Sequence, residues 1–382
     1  MRIIGFKKCR FSSLRVTAES HFAAMKSINL YILGAGCSAN YDYPLAKDFR
    51  GTLKEYRRTL DRRPNCARLI QCVTNTVSMM ERFNSPTIDR FVLQILEELG
   101  RQKRPLSPYD GIKHEKLEQS ADCQIRDAKW ATAALFLDRE DNARKNGLQG
   151  YRDFLNIIFQ GNRNPSALES TPSRVLSFNY ERLYEFAFID YFRLDSGMDC
   201  YGQAWLNSAF DFIWRKALSI SPNRFCFLKL HGTAGTSVAS QHGESVYECV
   251  TLDNSNLIID DNFFWPTNRR ISPRRSQNPE PLIVFPCEKD RAREGCTSFV
   301  YDTYIRTIWG GAMQFAQEAK QIWVIGYSFD PNDRKSLMEL LRWNKASCEI
   351  VIWNPNAEVI CNELRLFYPD LAPRLKPLAR SF

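Results

Sequence analysis

Short, continuous apolar runs that end in small or polar residues most constrain what this chain can fold into. The runs span residues 28–33, 173–180, 224–232, 321–328 and 348–355, with a further run at 281–286. The five main runs lead into Gly34-Ala35-Gly36, Asn179-Tyr180-Glu181, His231-Gly232, Gly326-Tyr327-Ser328 and Asn354-Pro355. Because strands buried on both faces of a parallel sheet are apolar throughout, and helical segments separate several of these runs, we predict an α/β fold with a Rossmann-like, doubly wound parallel sheet.

A mainly helical insertion is predicted between the first two runs, at about residues 50–165. Apolar residues recur there at helical spacing, for example in "NCARLIQCVTNTVSMMERF" and "TIDRFVLQILEELG". The α/β domain is expected to span residues 28–356, with 357–382 as a C-terminal segment. Residues 1–27 are basic, almost free of acids and similar to a transit peptide, and Met25 stands just before the first run. We interpret them as an N-terminal tail or extension.

Composition narrows the class of protein. No stretch of the 382 residues approaches the roughly 18 apolar residues of a membrane span, so a soluble protein without membrane contact is expected. None of the 12 cysteines are spaced C-x-x-C, which argues against a zinc ribbon. Several cysteines lie inside apolar runs and no secretory signal precedes them, so reduced thiols in the cytoplasm are expected.

The chain carries a net charge of +9, and its densest basic cluster holds Arg269, Arg270, Arg274 and Arg275. These arginines lie in a stretch rich in Pro, Ser and Asn, which is typical of an exposed loop. Two interpretations stay open: a solvated loop, or contact with a polyanion or an acidic partner.

The polar ends of the runs are the candidate functional residues. In open α/β sheets, ligands bind at the carboxyl ends of the strands, so we expect these five ends to face one crevice. Gly34 and Gly36 permit a tight turn whose backbone N–H groups can approach a diphosphate, and Ser38 could add a hydrogen bond. Two glycines in such a turn also occur for steric reasons alone. The third glycine of the dinucleotide fingerprint and the lysine of a Walker A loop are absent.

Two further residues suggest chemistry. Among the four histidines, His231 alone ends a strongly apolar run, where it is either structural or a general base. Asn179 stands at a strand-to-helix junction, where it either caps the helix or orients a ribose hydroxyl or a water molecule.

Taken in order, "GAGCS", "SFNYE", "LKLHG", "GYSFDPND" and "IWNPN" resemble the motifs of bacterial sirtuin-like domains, from about Leu30 to Asn356. The resemblance implies an NAD+ hydrolase that cleaves NAD+, its substrate, to nicotinamide and ADP-ribose as the effector of an anti-phage defence system. The alternatives are an NAD-dependent protein deacylase, which the missing cysteine pairs and hence the missing zinc site disfavour, and a catalytically silent, NAD-binding or DNA-associated scaffold.

The same resemblance implies roles for single residues. Asn179 would bind the nicotinamide ribose or the attacking water, and His231 would act as the general base. The NAD+ contacts would be Gly34, Ala35, Gly36, Ser38, Pro44, Asp48, Glu181, Gly326, Tyr327, Ser328 and Asn354. Glu181 stands where the family usually has aspartate. A partner such as a HerA-like ATPase or translocase is also implied. Because an unrestrained enzyme of this kind would be toxic to its host, we expect a homo-oligomer as well, and any contact with nucleic acid is expected to be indirect.

Overall fold

The computed structural model describes residues 28–63, 66–103, 111–192, 225–240, 247–251, 280–288, 306–329, 331–344 and 347–382. The expected N-terminal tail and the arginine cluster at 269–275 lie outside the described residues.

The described strands and helices alternate along much of the chain. The strands are β1 (Asn29–Leu33), β2 (Ser173–Ser177), β3 (Cys226–Lys229), β4 (Gly232–Ser240), β5 (Tyr247–Thr251), β6 (Glu280–Ile283), β7 (Gln321–Ile325), β8 (Glu349–Trp353) and β9 (Leu375–Leu378). The α-helices are α1 (Phe49–Leu60), α2 (Ala67–Arg82), α3 (Ile88–Lys103), α4 (Gly111–Lys145), α5 (Gln149–Phe159), α6 (Leu183–Tyr191), α7 (Arg306–Glu318), α8 (Pro331–Trp343) and α9 (Ala357–Phe367).

Six strands form a parallel sheet in the order β3-β2-β1-β7-β8-β9. Strand β1 is central, and Leu33 lies opposite Ser177 of β2 and Ile325 of β7. The strand order reverses between β1 and β7, as it does at the ligand crevice of doubly wound sheets. This topology confirms the predicted Rossmann-like parallel sheet.

Alternate residues of each strand enter cores on opposite faces of the sheet. In β1, Tyr31 and Leu33 pack with the helices α1 to α6, whereas Leu30 and Ile32 pack with α7, α8 and α9. Fully burying one such side chain contributes roughly 1.5–3 kcal/mol. Burial on both faces explains why these strands are continuous apolar runs in the sequence.

Two parts of the chain depart from the expected arrangement. The run at 281–286 does not join the parallel sheet: β6 pairs antiparallel with β4 in a separate three-stranded sheet, β5-β4-β6. Gly232, with a φ of 76°, reverses the chain into β4 directly after His231. The C-terminal segment is not separate from the domain, because its strand β9 pairs with β8 and forms an edge of the sheet. Pro377 is tolerated there because an edge strand need not donate a hydrogen bond on its outer side.

The segment between β1 and β2 holds α1 to α5. Its longest helix, α4, packs against α2 and α3 and also against α6, β4 and β6, so it joins the helical segment to α6 and to the three-stranded sheet. In the part of the chain that the structure describes, no helix combines the length and apolar character needed to cross a membrane.

Candidate functional site

The turn that follows β1 packs directly on the turn that follows β7. Gly34 N donates to the carbonyl of Ile325 at 2.9 Å, and Gly36 N donates to the carbonyl of Gly326 at 2.7 Å. A Cβ on Gly34 would lie 2.7 Å from the Tyr327 ring, and a Cβ on Gly36 would lie 2.7 Å from the Gly326 oxygen. The two glycines are therefore required for the close approach of two turns.

This packing changes the expected role of the glycine turn. The N–H groups of Gly34 and Gly36 are used within the fold, and those of Cys37 and Ser38 donate back to the carbonyls of Gly34 and Ala35. The expected contact of this turn with a diphosphate stays a prediction, and it would not use the N–H groups of Gly34 and Gly36. Within residues 34–38, only the N–H of Ala35 is not donated to a described residue, and Ala35 is exposed. A ligand at this turn would meet that group.

Ser38 is the centre of a buried hydrogen-bond network. Its side chain is 1% exposed, and its hydroxyl donates to Glu181 Oε1. Ser38 Oγ also accepts from Asn179 Nδ2 at 3.3 Å and lies 2.8 Å from the hydroxyl of Tyr151. Asn179 Nδ2 also donates to the carbonyl of Gly34 at 3.1 Å. The network joins the end of β1 to the end of β2.

Glu181 is buried and bonded within the protein, and its expected contact with a ribose stays a prediction. Its carboxylate lies against Ser38, and the hydroxyl oxygen of Tyr151 is 3.4 Å from the same Oε1 atom. Burial raises the pKa of the Glu181 carboxyl, and the charge of Lys229 acts in the opposite direction. Lys229, itself buried, donates to the Glu181 carbonyl and pairs with Glu185 at 2.9 Å. Two acids and one lysine thus share a water-poor pocket behind the β2 turn.

Asn179 does not cap a helix, because α6 begins at Leu183 and Arg182 is its N-cap residue. Its side chain is 6% exposed and is held by the contacts to Gly34 and Ser38. The structure therefore fixes the orientation of the carboxamide, as a group that positions a substrate requires.

His231 lies beyond the end of β3, buried among aromatic rings. Its Nδ1 is 3.1 Å from the carbonyl oxygen of Val284. Because a carbonyl can only accept, the proton of the neutral ring is on Nδ1 and the basic lone pair is on Nε2. The ring centroid lies 5.1 Å from that of Phe178, 6.0 Å from that of Trp309 and 6.3 Å from that of Tyr180. The arrangement leaves Nε2 as the ring atom able to take a proton.

Phe178 connects His231 to the β7 turn, since its ring centroid is also 5.0 Å from that of Tyr327. Ser328 is exposed beside Tyr327. Asn354, after β8, donates from Nδ2 to the Tyr327 carbonyl at 3.1 Å, and its Oδ1 accepts from Asn356 N at 2.9 Å. Its carboxamide therefore holds the β8 turn in place. A ribose could reach only the remaining hydrogen and lone pair.

The expected cofactor loop contains Pro44 and Asp48. The contacts of Asp48 do not connect this loop to the residues described above. Pro44 is half-buried, and Asp48 is exposed immediately before α1. Asp48 lines a groove of about 470 Å³ together with Lys47, Arg50, Gly51, Thr52, Lys54, Glu55 and Pro86. None of the other expected site residues lines that groove.

Sequence reasoning missed Tyr151 and the role of Lys229. Lys229 does leave a signal, because a lysine within a continuous apolar run needs a buried partner. Tyr151 leaves none, since its contact with Ser38 spans 113 positions. Within the described residues, no group of three or more His, Cys, Asp or Glu side chains could hold a metal ion.

No protein-family model matches the chain, and no curated protein matches it. Among solved structures, it is similar to a triple mutant of a Sir2 homologue in complex with 2′-O-acetyl ADP ribose, with a TM-score of 0.42 at 13% identity. It is equally similar, with the same two values, to a histidine-to-asparagine mutant of a Sir2 homologue in complex with ADP ribose. A serine-to-alanine mutant in complex with ADP ribose gives a TM-score of 0.36 at 12% identity. Each similarity covers 94% of this chain and 88% of the other.

Proposed function

We propose that the protein is an NAD+ hydrolase that cleaves NAD+ to nicotinamide and ADP-ribose. The observation that carries the proposal is the grouping at the carboxyl edge of the sheet. There Asn179, whose carboxamide is held by Gly34, directly follows Phe178, and the Phe178 ring lies 5.1 Å from that of His231, beside the reversal of strand order. A ligand crevice is expected at this position in a doubly wound sheet.

Hydrolysis of NAD+ requires the protein to orient the ribose and the attacking water and to accept one proton. Water adds to the ribose carbon as its bond to nicotinamide breaks, and nicotinamide leaves as a neutral molecule. His231 Nε2 would take the proton that the water loses, and Asn179 would orient the ribose or the water. The aromatic rings around His231 would exclude other water from the cationic transition state.

The exposed end of the site would hold the rest of the dinucleotide. The N–H of Ala35 and the hydroxyl of Ser328 are the groups available to a diphosphate, one on each of the two packed turns. Gly34, Gly36 and Gly326 would contribute by letting these turns meet.

The experiment is to incubate the purified protein with NAD+ and to quantify nicotinamide and ADP-ribose by chromatography, with and without an acylated peptide. Equal amounts of both products without peptide support a hydrolase, whereas turnover that requires the peptide supports a deacylase. Asn179→Ala and His231→Ala should each abolish turnover. Asn146→Ala, at an exposed position after α4, is the matched control and should retain it.

The motif resemblance extends the proposal to the cell. We propose a cytoplasmic, homo-oligomeric effector of anti-phage defence that acts with a HerA-like ATPase, through which any contact with nucleic acid is made. Light scattering and co-purification test the assembly. A monomer that hydrolyses NAD+ at full rate would contradict the assembly, and NAD+ left intact by the protein, both alone and with the ATPase, would overturn the hydrolase.

A further inference from the structure

Tyr151 brings the helical segment into the candidate site. It lies on α5, is 1% exposed, and its hydroxyl reaches Ser38 Oγ at 2.8 Å. Its ring stacks on that of Tyr41 at 5.8 Å and meets the edge of Tyr184 at 6.1 Å. These contacts hold the ring in one place, so its hydroxyl has a fixed direction.

The hydrogen bonds available to Ser38 determine which one Tyr151 makes. A serine hydroxyl has one proton to donate and two lone pairs that accept. The proton of Ser38 goes to Glu181, and the two lone pairs take the proton of Tyr151 and an N–H of Asn179. With every position filled, the hydroxyl cannot turn, and the lone pair that receives Asn179 keeps its direction.

We propose that Tyr151 is a positioning residue that acts through Ser38 on the carboxamide of Asn179. The expected effect on kcat rests on the proposed hydrolysis, whereas the expected effect on the Asn179 side chain rests on geometry alone. Without the phenol hydroxyl, Ser38 keeps its bonds to Glu181 and Asn179 but has an empty lone pair, so its hydroxyl is held by two contacts instead of three. Asn179 keeps its bond to the Gly34 carbonyl but is held less firmly on the Ser38 side, while the turns that would hold the diphosphate are unchanged.

The kinetic test compares Tyr151→Phe with Tyr184→Phe. Tyr184 is a buried neighbour whose hydroxyl has no hydrogen-bond partner among the described residues, so it controls for the loss of a buried hydroxyl. Tyr151→Phe should lower kcat about tenfold and change KM for NAD+ by less than about twofold, because only an interaction needed in the transition state is lost. Tyr184→Phe should leave kcat within about twofold.

A double variant separates action through Ser38 from a general loss of packing. If Tyr151 acts through Ser38, then adding Tyr151→Phe to Ser38→Ala should lower kcat no further. A further tenfold loss in the double variant would overturn the proposal.

The structural test needs no activity. In protein labelled with ¹⁵N-asparagine, the Asn179 side-chain signal, assigned by its loss in Asn179→Ala, should show slowed amide hydrogen exchange. Tyr151→Phe should accelerate this exchange, whereas Tyr184→Phe should not. If NAD+ survives but exchange accelerates, the hydrolase fails and the positioning role stands. If Tyr151→Phe leaves exchange unchanged, the positioning role fails whatever the enzyme does.

Discussion

At the scale of single residues, Gly326 has no room for a side chain. Its φ is 62°, and a Cβ there would lie 2.5 Å from Cys37 N and 2.9 Å from Cys37 Sγ. Backbone atoms cannot move aside as a flexible side chain can. Gly326→Ala should therefore lower the free energy of unfolding by about 2–4 kcal/mol, from overpacking together with left-handed strain.

Urea denaturation of Gly326→Ala and of a matched glycine variant measures this effect. Gly310 lies inside α7, and a Cβ there would have no neighbour within 4 Å. Gly310→Ala should raise the free energy of unfolding by roughly 0.5–1 kcal/mol, because alanine favours the helix. Equal effects of the two substitutions would show that the β1 and β7 turns are not packed as closely as described.

The sequence identifies candidate residues whose side-chain chemistry and position at a strand end suggest a role. It does not show contacts between residues that are far apart in the chain. Asn179 and His231 stand at strand ends, where side chains gather in any parallel sheet, so their position followed from the pattern. The direction of Glu181 did not, because it depends on Tyr151 from the helical segment and on Lys229 from β3. Strand pattern alone holds no information about such contacts.

At the scale of secondary-structure elements, one ion pair fastens α4 to the start of α6. Arg182 donates to both carboxylate oxygens of Glu140, at 2.9 and 2.6 Å, and both side chains are buried. Removing one partner leaves a buried charge, which costs about 3–5 kcal/mol. Glu140→Ala and Arg182→Ala should each lower the free energy of unfolding by this amount.

A double-mutant cycle tests whether the two charges act on one another. The double variant leaves no lone charge, so it should cost at least about 2 kcal/mol less than the sum of the single variants. The surface pair of Arg342 and Asp370, joined at 2.8 Å, is the control. Its coupling should be less than about 1 kcal/mol. If the losses of unfolding free energy in Glu140→Ala and Arg182→Ala simply add in the double variant, the ion pair does not hold α4 against α6.

Strands buried on both faces of the sheet could be predicted from the sequence, whereas strands without such burial were missed. Both faces of the parallel sheet are covered at β1, β2, β3, β7 and β8. These strands are therefore mainly apolar and could be recognised in the sequence. Strand β9 is a short edge strand with an exposed Lys376 and a proline, and β4 is made of small and polar residues. The antiparallel pairing of β6 depends on β4, which no apolar run marks.

At the scale of the whole molecule, folding should depend on pH through groups whose pKa the fold shifts. Burial raises the pKa of Glu181 above the ordinary glutamate value of about 4.3, although the charge of Lys229 opposes the shift. The folded state then holds the proton more tightly than the unfolded chain does. The contribution of Glu181 to stability is complete below pH about 4.3 and is lost as the pH rises through its folded value.

The free energy of unfolding of the wild type and of Glu181→Gln, measured in urea from pH 5 to 8, tests this sign. Glutamine stands in for the protonated acid, so the wild type should lose stability relative to the variant as the pH rises. Asp370→Asn should show no slope over this range, because the hydrogen bond from Arg342 lowers the pKa of Asp370, whose contribution is lost only as the pH falls below the ordinary aspartate value of about 3.9. A difference between Glu181→Gln and the wild type that does not change with pH would mean that Glu181 is solvated in the folded protein. The buried network around Ser38 would then be wrong.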